Sequence, residues 1–188
     1  STISVAVIGD EGMEEGIVYE TFNLASKMKL PTLFICENNL YSTHTHLRER
    51  VSNFKTHYKV KPFGLKTTYF NSNNPEKLYY KISKIINEIR KNKQPQFLEI
   101  QTYRFNGHVG PENDDIFNYR SKKEMQFWKK RDPLIYYKKK LQKEIKNFKK
   151  IEIVIEKRIN KLIKDAFNFA EKSKFPKTFI DKNYLNSY

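Results

Sequence analysis

The stretch "ISVAVIGD" opens the chain as an unbroken apolar, β-branched run that stops at Gly9-Asp10, the pattern of a strand covered on both faces. Between Glu14 and Lys29 the apolar residues Ile17, Val18, Phe22, Leu24, Ala25 and Met28 return at close to helical spacing, and Leu30-Pro31 closes the segment. "TLFICEN" is a second buried run. Strand, amphipathic helix and strand in that order predict two parallel strands joined by a right-handed crossover. Ile3–Ile8 should therefore lie inside a parallel sheet beside Pro31–Glu37. "LKTTYFN" predicts a third strand. "NPEKLYYKISKIINEIRKNKQ" predicts a helix started by Asn-Pro-Glu, with Leu78, Ile82, Ile85, Ile86 and Ile89 on its inner face. "PQFLEIQTYRF" predicts a fourth strand, and no internal repeat is present.

After Phe105 the pattern changes. "NGHVGPENDDIFNYR" is too long and too polar for a simple turn, which makes it a functional candidate. Three helical segments follow, roughly 121–130, 133–146 and 151–172, and "KFPKTFIDKNYLNSY" reads as a polar, irregular end. The fold class is α/β, a parallel sheet flanked by helices, divided into an α/β domain over 1–120 and a helical C-terminal extension over 121–188.

Charge adds one question. Lys and Arg number 36 against 21 Asp and Glu, giving +15, enough to raise a basic nucleic-acid-binding protein as a rival reading. The lysines, however, are spread along helices ("KKKLQKEIKNFKK") rather than set among exposed aromatics on a glycine-rich sheet. They read as a solvated basic surface without nucleic acid. No apolar run reaches the length of a membrane span, so no membrane is expected. A single cysteine, Cys36, builds no disulfide framework and fits a reducing, cytoplasmic setting. Because Ser1-Thr2 leads straight into a strand, the sequence is expected to be cut from something longer, and a sheet edge or apolar face should be left exposed. The isolated chain should then aggregate or need partners.

The chemistry sits at the strand ends. In an open parallel sheet, ligands bind beyond the carboxyl ends of the strands. Asp10 ends the first strand, and Asn38-Asn39 ends the second, Asn39 following Asp10 by 29 positions. A helix beginning a few residues after Gly9 offers free N–H groups to a phosphate. Magnesium takes oxygen ligands, which Asp10, the Asn39 amide and a backbone carbonyl just beyond could supply. Gly-Asp alone would be a plain strand-to-helix turn. Paired with Asn-Asn at a second strand end, it indicates a magnesium diphosphate site. His44 and His46 alternate but have no third ligand in view, so they read as loop residues.

These residues resemble the thiamine diphosphate motif, Gly-Asp-Gly followed about 25–30 residues later by Asn-Asn. More closely, the chain is similar to the C-terminal portion of the alpha subunit of the 2-oxo-acid dehydrogenase first component, of pyruvate and branched-chain type. Four ordered segments carry the likeness: "GDEGMEEGIVYETFNLASKMKLPTLFICENNLYS", "EIQTYRFNGHVGPENDD", "YRSKKEMQFWKKRDPLIYYKKKL" and "AFNFAEKSKFP". The resemblance implies a thiamine-diphosphate-binding fold, with Asp10 and Asn39 binding Mg²⁺ through side chains and Tyr41 through its carbonyl. It implies that the amides of Glu11 and Gly12 face the diphosphate. His108 matches the loop histidine by the cofactor's reactive end, a group for proton handling and acyl transfer, with loop ordering as its alternative role.

The resemblance further implies a beta subunit as partner in a heterotetramer, and a lipoyl acyltransferase as a possible second one. Further diphosphate contacts and another catalytic histidine belong to a preceding N-terminal stretch in the family, and the glutamate that activates the aminopyrimidine belongs to the beta subunit. The chain then supplies the metal–diphosphate half of a shared site for decarboxylating a 2-oxo acid and passing the acyl group to lipoamide. A thiamine-dependent lyase or transferase without lipoamide is the alternative within enzymes. Two departures stand out. Glu11 occupies the usual third glycine position, with glycine displaced to Gly12. Val109 and Pro111 stand where mammalian members carry a regulatory serine, so phosphorylation is not expected there.

Overall fold

The computed structural model describes residues 2–110, 112 and 114–175. It divides into two compact units, Ser1–Lys138 and Lys139–Tyr188. In the first unit, β1 (Ser4–Gly9) leads through a 3-10 turn at Gly12–Glu14 into α1 (Gly16–Lys27) and β2 (Thr32–Asn38). A two-residue hairpin, β3 (Tyr41–Ser42) and β4 (Thr45–His46), and two short helices, α2 (Leu47–Arg50) and α3 (Thr56–Val60), come next. Then β5 (Lys66–Phe70), α4 (Pro75–Asn92) and β6 (Gln96–Gln101) complete the sheet, and α5 (Lys122–Lys129) and the first residues of α6 (Pro133–Glu144) follow. The second unit is built on α7 (Phe148–Lys172). The irregular end expected beyond Phe175 lies outside the described residues.

The four long strands form one parallel sheet in the order β1-β2-β6-β5. Its two faces have separate cores. One packs Phe34, Cys36 and Phe97 against Phe22 and Ala25 of α1 and Val60 of α3. The other packs Leu33, Leu98 and Ile100 against Ile85 and Ile89 of α4. Side chains alternate across each strand, so these sets fall on opposite faces without further instruction. Phe22 is fully buried, with Phe34 and Phe97 edge-on at 5.0 and 5.7 Å between centroids. The α4 start follows its sequence signal: the Asn74 side chain accepts from the amides of Glu76 and Lys77, with Pro75 at the first turn.

The expected parallel pairing of the first two strands is present, with Ile8 opposite Cys36 and Gly9 opposite Glu37. The expected interior place of the first strand is not. β1 is an edge strand, and Val5 and Val7 are 52% and 61% exposed. An apolar run specifies that a strand is able to be covered; it does not name the element that covers it. The interior strands are β2 and β6. The first helix is also shorter than the periodicity suggests, because Gly12–Glu14 form a 3-10 turn and Lys29 takes a positive φ of 53°. Among the described residues, no helix is long and apolar enough to cross a membrane.

Candidate functional site

The carboxyl ends of β1 and β2 lie side by side, which brings Asp10 to the turn after Asn38. Asp10 is 2% exposed, and its Oδ1 accepts from the backbone amide of Asn39 at 3.2 Å. Asn39 in turn accepts the Tyr41 amide on Oδ1 at 3.0 Å, which leaves that oxygen a second lone pair. Asp10, Asn39 and Tyr41 thus share one hydrogen-bonded turn. Leu40, between the last two, has a φ of 72°, a conformation that costs a branched side chain energy and that is held here by two further bonds. The Leu40 amide donates to Asn38 Oδ1 at 3.1 Å, and the Leu40 carbonyl accepts from the Leu47 amide at 2.7 Å.

A residue that sequence reasoning missed completes this corner. Arg50, at the end of α2, donates to Asp10 Oδ2 at 2.5 Å and also pairs with Glu14. Burial pushes the Asp10 carboxyl above its ordinary value of 3.8, against the opposing pull of the Asn39 amide and the Arg50 guanidinium. A buried carboxylate of this kind has to be compensated by cations. The Arg50 Nε is buried and has no hydrogen-bond partner among the described residues, so the guanidinium retains a donor for a further acceptor. A hard oxygen donor set beside an orphaned guanidinium N–H suits a cation carrying an anionic, oxygen-rich ligand.

The turn is braced from the sheet as well. Glu99, a lone charge within β6, is 2% exposed, and its carboxylate takes three donors. These are Asn38 Nδ2 at 2.7 Å, the His57 amide at 2.9 Å and His57 Nδ1 at 2.5 Å. Gln101 Nε2 and the Thr102 amide both donate to the Asn38 carbonyl. Neither Glu99 nor His57 was singled out from the sequence, although a glutamate inside the apolar run "FLEIQ" is the signal of a buried, paired acid.

The long loop docks on the hairpin. Arg104 donates to the Thr43 carbonyl at 2.5 Å, His44 Nε2 lies 3.6 Å from Asp114, and the Tyr41 and Tyr119 rings meet at 5.5 Å. His44 and His46 have local work: His44 packs on Phe117 and Tyr119, and His46 Nδ1 accepts from the Arg48 amide. His108 is exposed, with Arg104 Nη1 3.2 Å from its Nδ1 and its amide donating to Asp114 Oδ2 at 3.3 Å. Gly107 has no room for a side chain, since a Cβ there would sit 2.8 Å from the Glu112 carbonyl oxygen. Pro111 lies outside the described residues, and Val109 is 85% exposed.

The sequence model of the family described as "Dehydrogenase E1 component" matches residues 1–178. The chain belongs to that family. It is 31% identical over 176 residues to the pyruvate dehydrogenase E1 component subunit alpha of Rickettsia bellii (strain RML369-C), covering 94% of this chain and 53% of that protein. It is 30% identical over all 188 residues to the subunit of the same name from Rickettsia typhi (strain ATCC VR-144 / Wilmington), and covers 56% of it. A chloroplastic pyruvate dehydrogenase E1 component subunit alpha-3 of Arabidopsis thaliana is 32% identical over 93% of this chain and 40% of its own length. The chain therefore spans about half the length of the curated relatives it matches.

In this E1 chain the departure at Glu11 is accommodated locally. Glu11 is exposed and caps the 3-10 turn by accepting the Glu14 amide on its carbonyl at 2.9 Å. The glycine requirement has moved to Gly12, where a Cβ would meet Ile8 Cγ2 at 2.9 Å.

The loop's centre is Asp114, which accepts from the Tyr119 hydroxyl at 2.8 Å and from Arg120 at 2.6 Å. Arg120 is 6% exposed and also holds the Arg104 carbonyl. Partial burial works to raise the Asp114 carboxyl, but the Tyr119 hydroxyl and the Arg120 guanidinium outweigh it and hold it below 3.8. A depressed folded-state value means that the stabilisation is present above the unfolded value and is lost as pH falls through the folded one. Hydrogen-exchange protection of residues 102–120 should accordingly be steady above about pH 4 and drop below it. Asp114→Asn should show the low protection at all pH values. Protection that is unchanged by pH in the wild type would contradict this role for Asp114.

Proposed function

We propose that this chain is the metal–diphosphate-binding half of a thiamine-diphosphate-dependent dehydrogenase, acting on a 2-oxo acid with transfer of the acyl group to lipoamide. The observation that carries the reading is the buried Asp10 carboxylate at paired strand ends, with Asn39 beside it and the Arg50 Nε without an acceptor among the described residues. Asp10 and Asn39 would hold Mg²⁺ through side-chain oxygens and Tyr41 through its carbonyl, a hard-donor set suited to that ion. The Glu11 and Gly12 amides would face the diphosphate. Arg50 would keep the Asp10 carboxylate ionised and turn its free N–H toward a phosphate oxygen. Thiamine diphosphate, when bound, supplies the electron sink that makes loss of CO₂ from a 2-oxo acid possible.

His108 would hold and deliver protons at the reacting oxygen, and Arg104, anchored to Thr43, would set its position. The rest of the site would come from a beta subunit in a heterotetramer, with a lipoyl acyltransferase as acceptor, in the cytoplasm. The relatives' printed name, a subunit of a pyruvate dehydrogenase E1 component, supports this assembly and a pyruvate-like substrate. His108→Ala in the intact assembly should leave calorimetric affinity for the cofactor within about threefold and lower kcat by roughly 10²–10⁴. Loss of cofactor binding in that variant, with turnover per bound cofactor unchanged, would show that His108 only shapes the loop.

A further inference from the structure

A second cavity lies on the α1/α3 face of the sheet, between β6, α3 and the segment that carries Arg48, and the metal–diphosphate reading makes no use of it. Its volume is about 420 Å³, within the span of small-molecule sites. Three of its lining residues are large aromatics with much of their surface uncovered: Phe54 and Tyr58 at 46% exposed and Tyr69 at 43%. Partly exposed aromatics that line one cavity are a local apolar surface rather than scattered surface apolarity.

The charges at the cavity that lack an opposite partner among the described residues are positive. Arg48 and Lys55 line it, with the Arg48 guanidinium 5.5 Å from the Phe54 ring centroid and Lys55 Nζ 5.5 Å from that of Tyr58. Among the described residues, neither cation has a carboxylate partner. The one carboxylate in the lining, Glu99, is already committed to Asn38 and to His57 by three hydrogen bonds. His57 is fixed by that contact and stacks on Tyr69, with ring centroids 5.0 Å apart and planes 20° from parallel. Its Nδ1 faces Glu99, so Nε2 is the ring's remaining polar atom.

We propose that this cavity, lined by Arg48, Lys55 and His57 and by the partly exposed side chains of Phe54, Tyr58 and Tyr69, binds a small planar organic anion. The two cations take a carboxylate or phosphate, and the rings take its flat, unsaturated body. A cationic ligand would meet uncompensated positive charge. A neutral apolar one would bury two charges with nothing in return. Asp10 is not among the lining residues, although Asn38 and Leu40 of the neighbouring turn are.

The test is titration calorimetry on the full chain in its native assembly, without added Mg²⁺ or thiamine diphosphate. The probes are adenosine 5′-monophosphate, benzoate, adenosine and inorganic phosphate. The ring-bearing anions should bind at least about tenfold more tightly than adenosine or phosphate, since only they engage both the cations and the rings. Preference between the two anions tells phosphate from carboxylate. Phe54→Ala and Lys55→Met, both at exposed positions, should each weaken binding about tenfold. The proposal fails if no ring-bearing anion binds below about 10 mM, if adenosine or phosphate binds as well as they do, or if both cavity substitutions are silent.

Discussion

Asp10→Ala should abolish magnesium-dependent cofactor binding, weakening it by more than about 100-fold, because even a partner one shell out from a metal is worth about 10–100-fold. Among the described residues, Asp10 is the carboxylate that accepts the Asn39 amide, and it would bring a full negative charge to a divalent ion there. The variant should also change the corner it leaves behind. Arg50 would lose its buried partner and be held by Glu14 alone, and Asn39 would lose the acceptor for its amide. Arg50→Met separates these effects. It keeps the carboxylate but removes the guanidinium, so it should retain Mg²⁺ binding and lose affinity for the diphosphate. Calorimetry with the metal alone and with metal plus cofactor distinguishes the two variants. Cofactor binding by Asp10→Ala at wild-type strength would contradict the site.

The largest effect on stability should come from Glu99. Removing its carboxylate strands Asn38 Nδ2, the His57 amide and His57 Nδ1 in a buried place, and breaking such a pair costs about 3–5 kcal/mol. Glu99→Ala should therefore lower the chemical-denaturation midpoint strongly. Glu99→Gln keeps the shape and one acceptor and should lose less. Since Asn38 also fixes the Leu40 amide, both variants should loosen the Asn39 turn and reduce metal affinity in proportion. A Glu99→Ala protein as stable as wild type would mean that this network is incidental.

What was legible in the sequence follows from what local pattern is able to encode. Continuous apolar runs and a 3.6-residue period gave β1, α1, β2, β5, α4 and β6 to within a few residues, because those signals report burial of each segment's own side chains. They did not tell edge from interior: Val5 and Val7 are as apolar as Leu33 and Ile35, and only the sheet order separates them. The hairpin and the two short helices between Tyr41 and Val60 went unread, since four- and five-residue elements held by turns carry no periodicity.

At the candidate site, Asp10 and Asn39 were visible as acid and amide at strand ends, and the structure joins them by one hydrogen bond. Arg50 was invisible for a physical reason. It lies 40 residues from Asp10 in the charged stretch "LRERV", where nothing local marks which arginine turns inward. Glu99 left a trace, a lone acid in an apolar strand, while its partner His57 left none. The roles of Tyr41 and His108 rest on family likeness together with the loop contacts described above.

The central claim is that one divalent ion is held between Asp10 and Asn39. Mn²⁺ shares the octahedral oxygen preference of Mg²⁺ and is visible by anomalous scattering. A crystal of the intact assembly grown with Mn²⁺ and thiamine diphosphate should show one anomalous peak about 2.0–2.5 Å from an Asp10 carboxylate oxygen, the Asn39 amide oxygen and the Tyr41 carbonyl. A peak remote from these three atoms, with Arg50 alone still paired to Asp10, would contradict it.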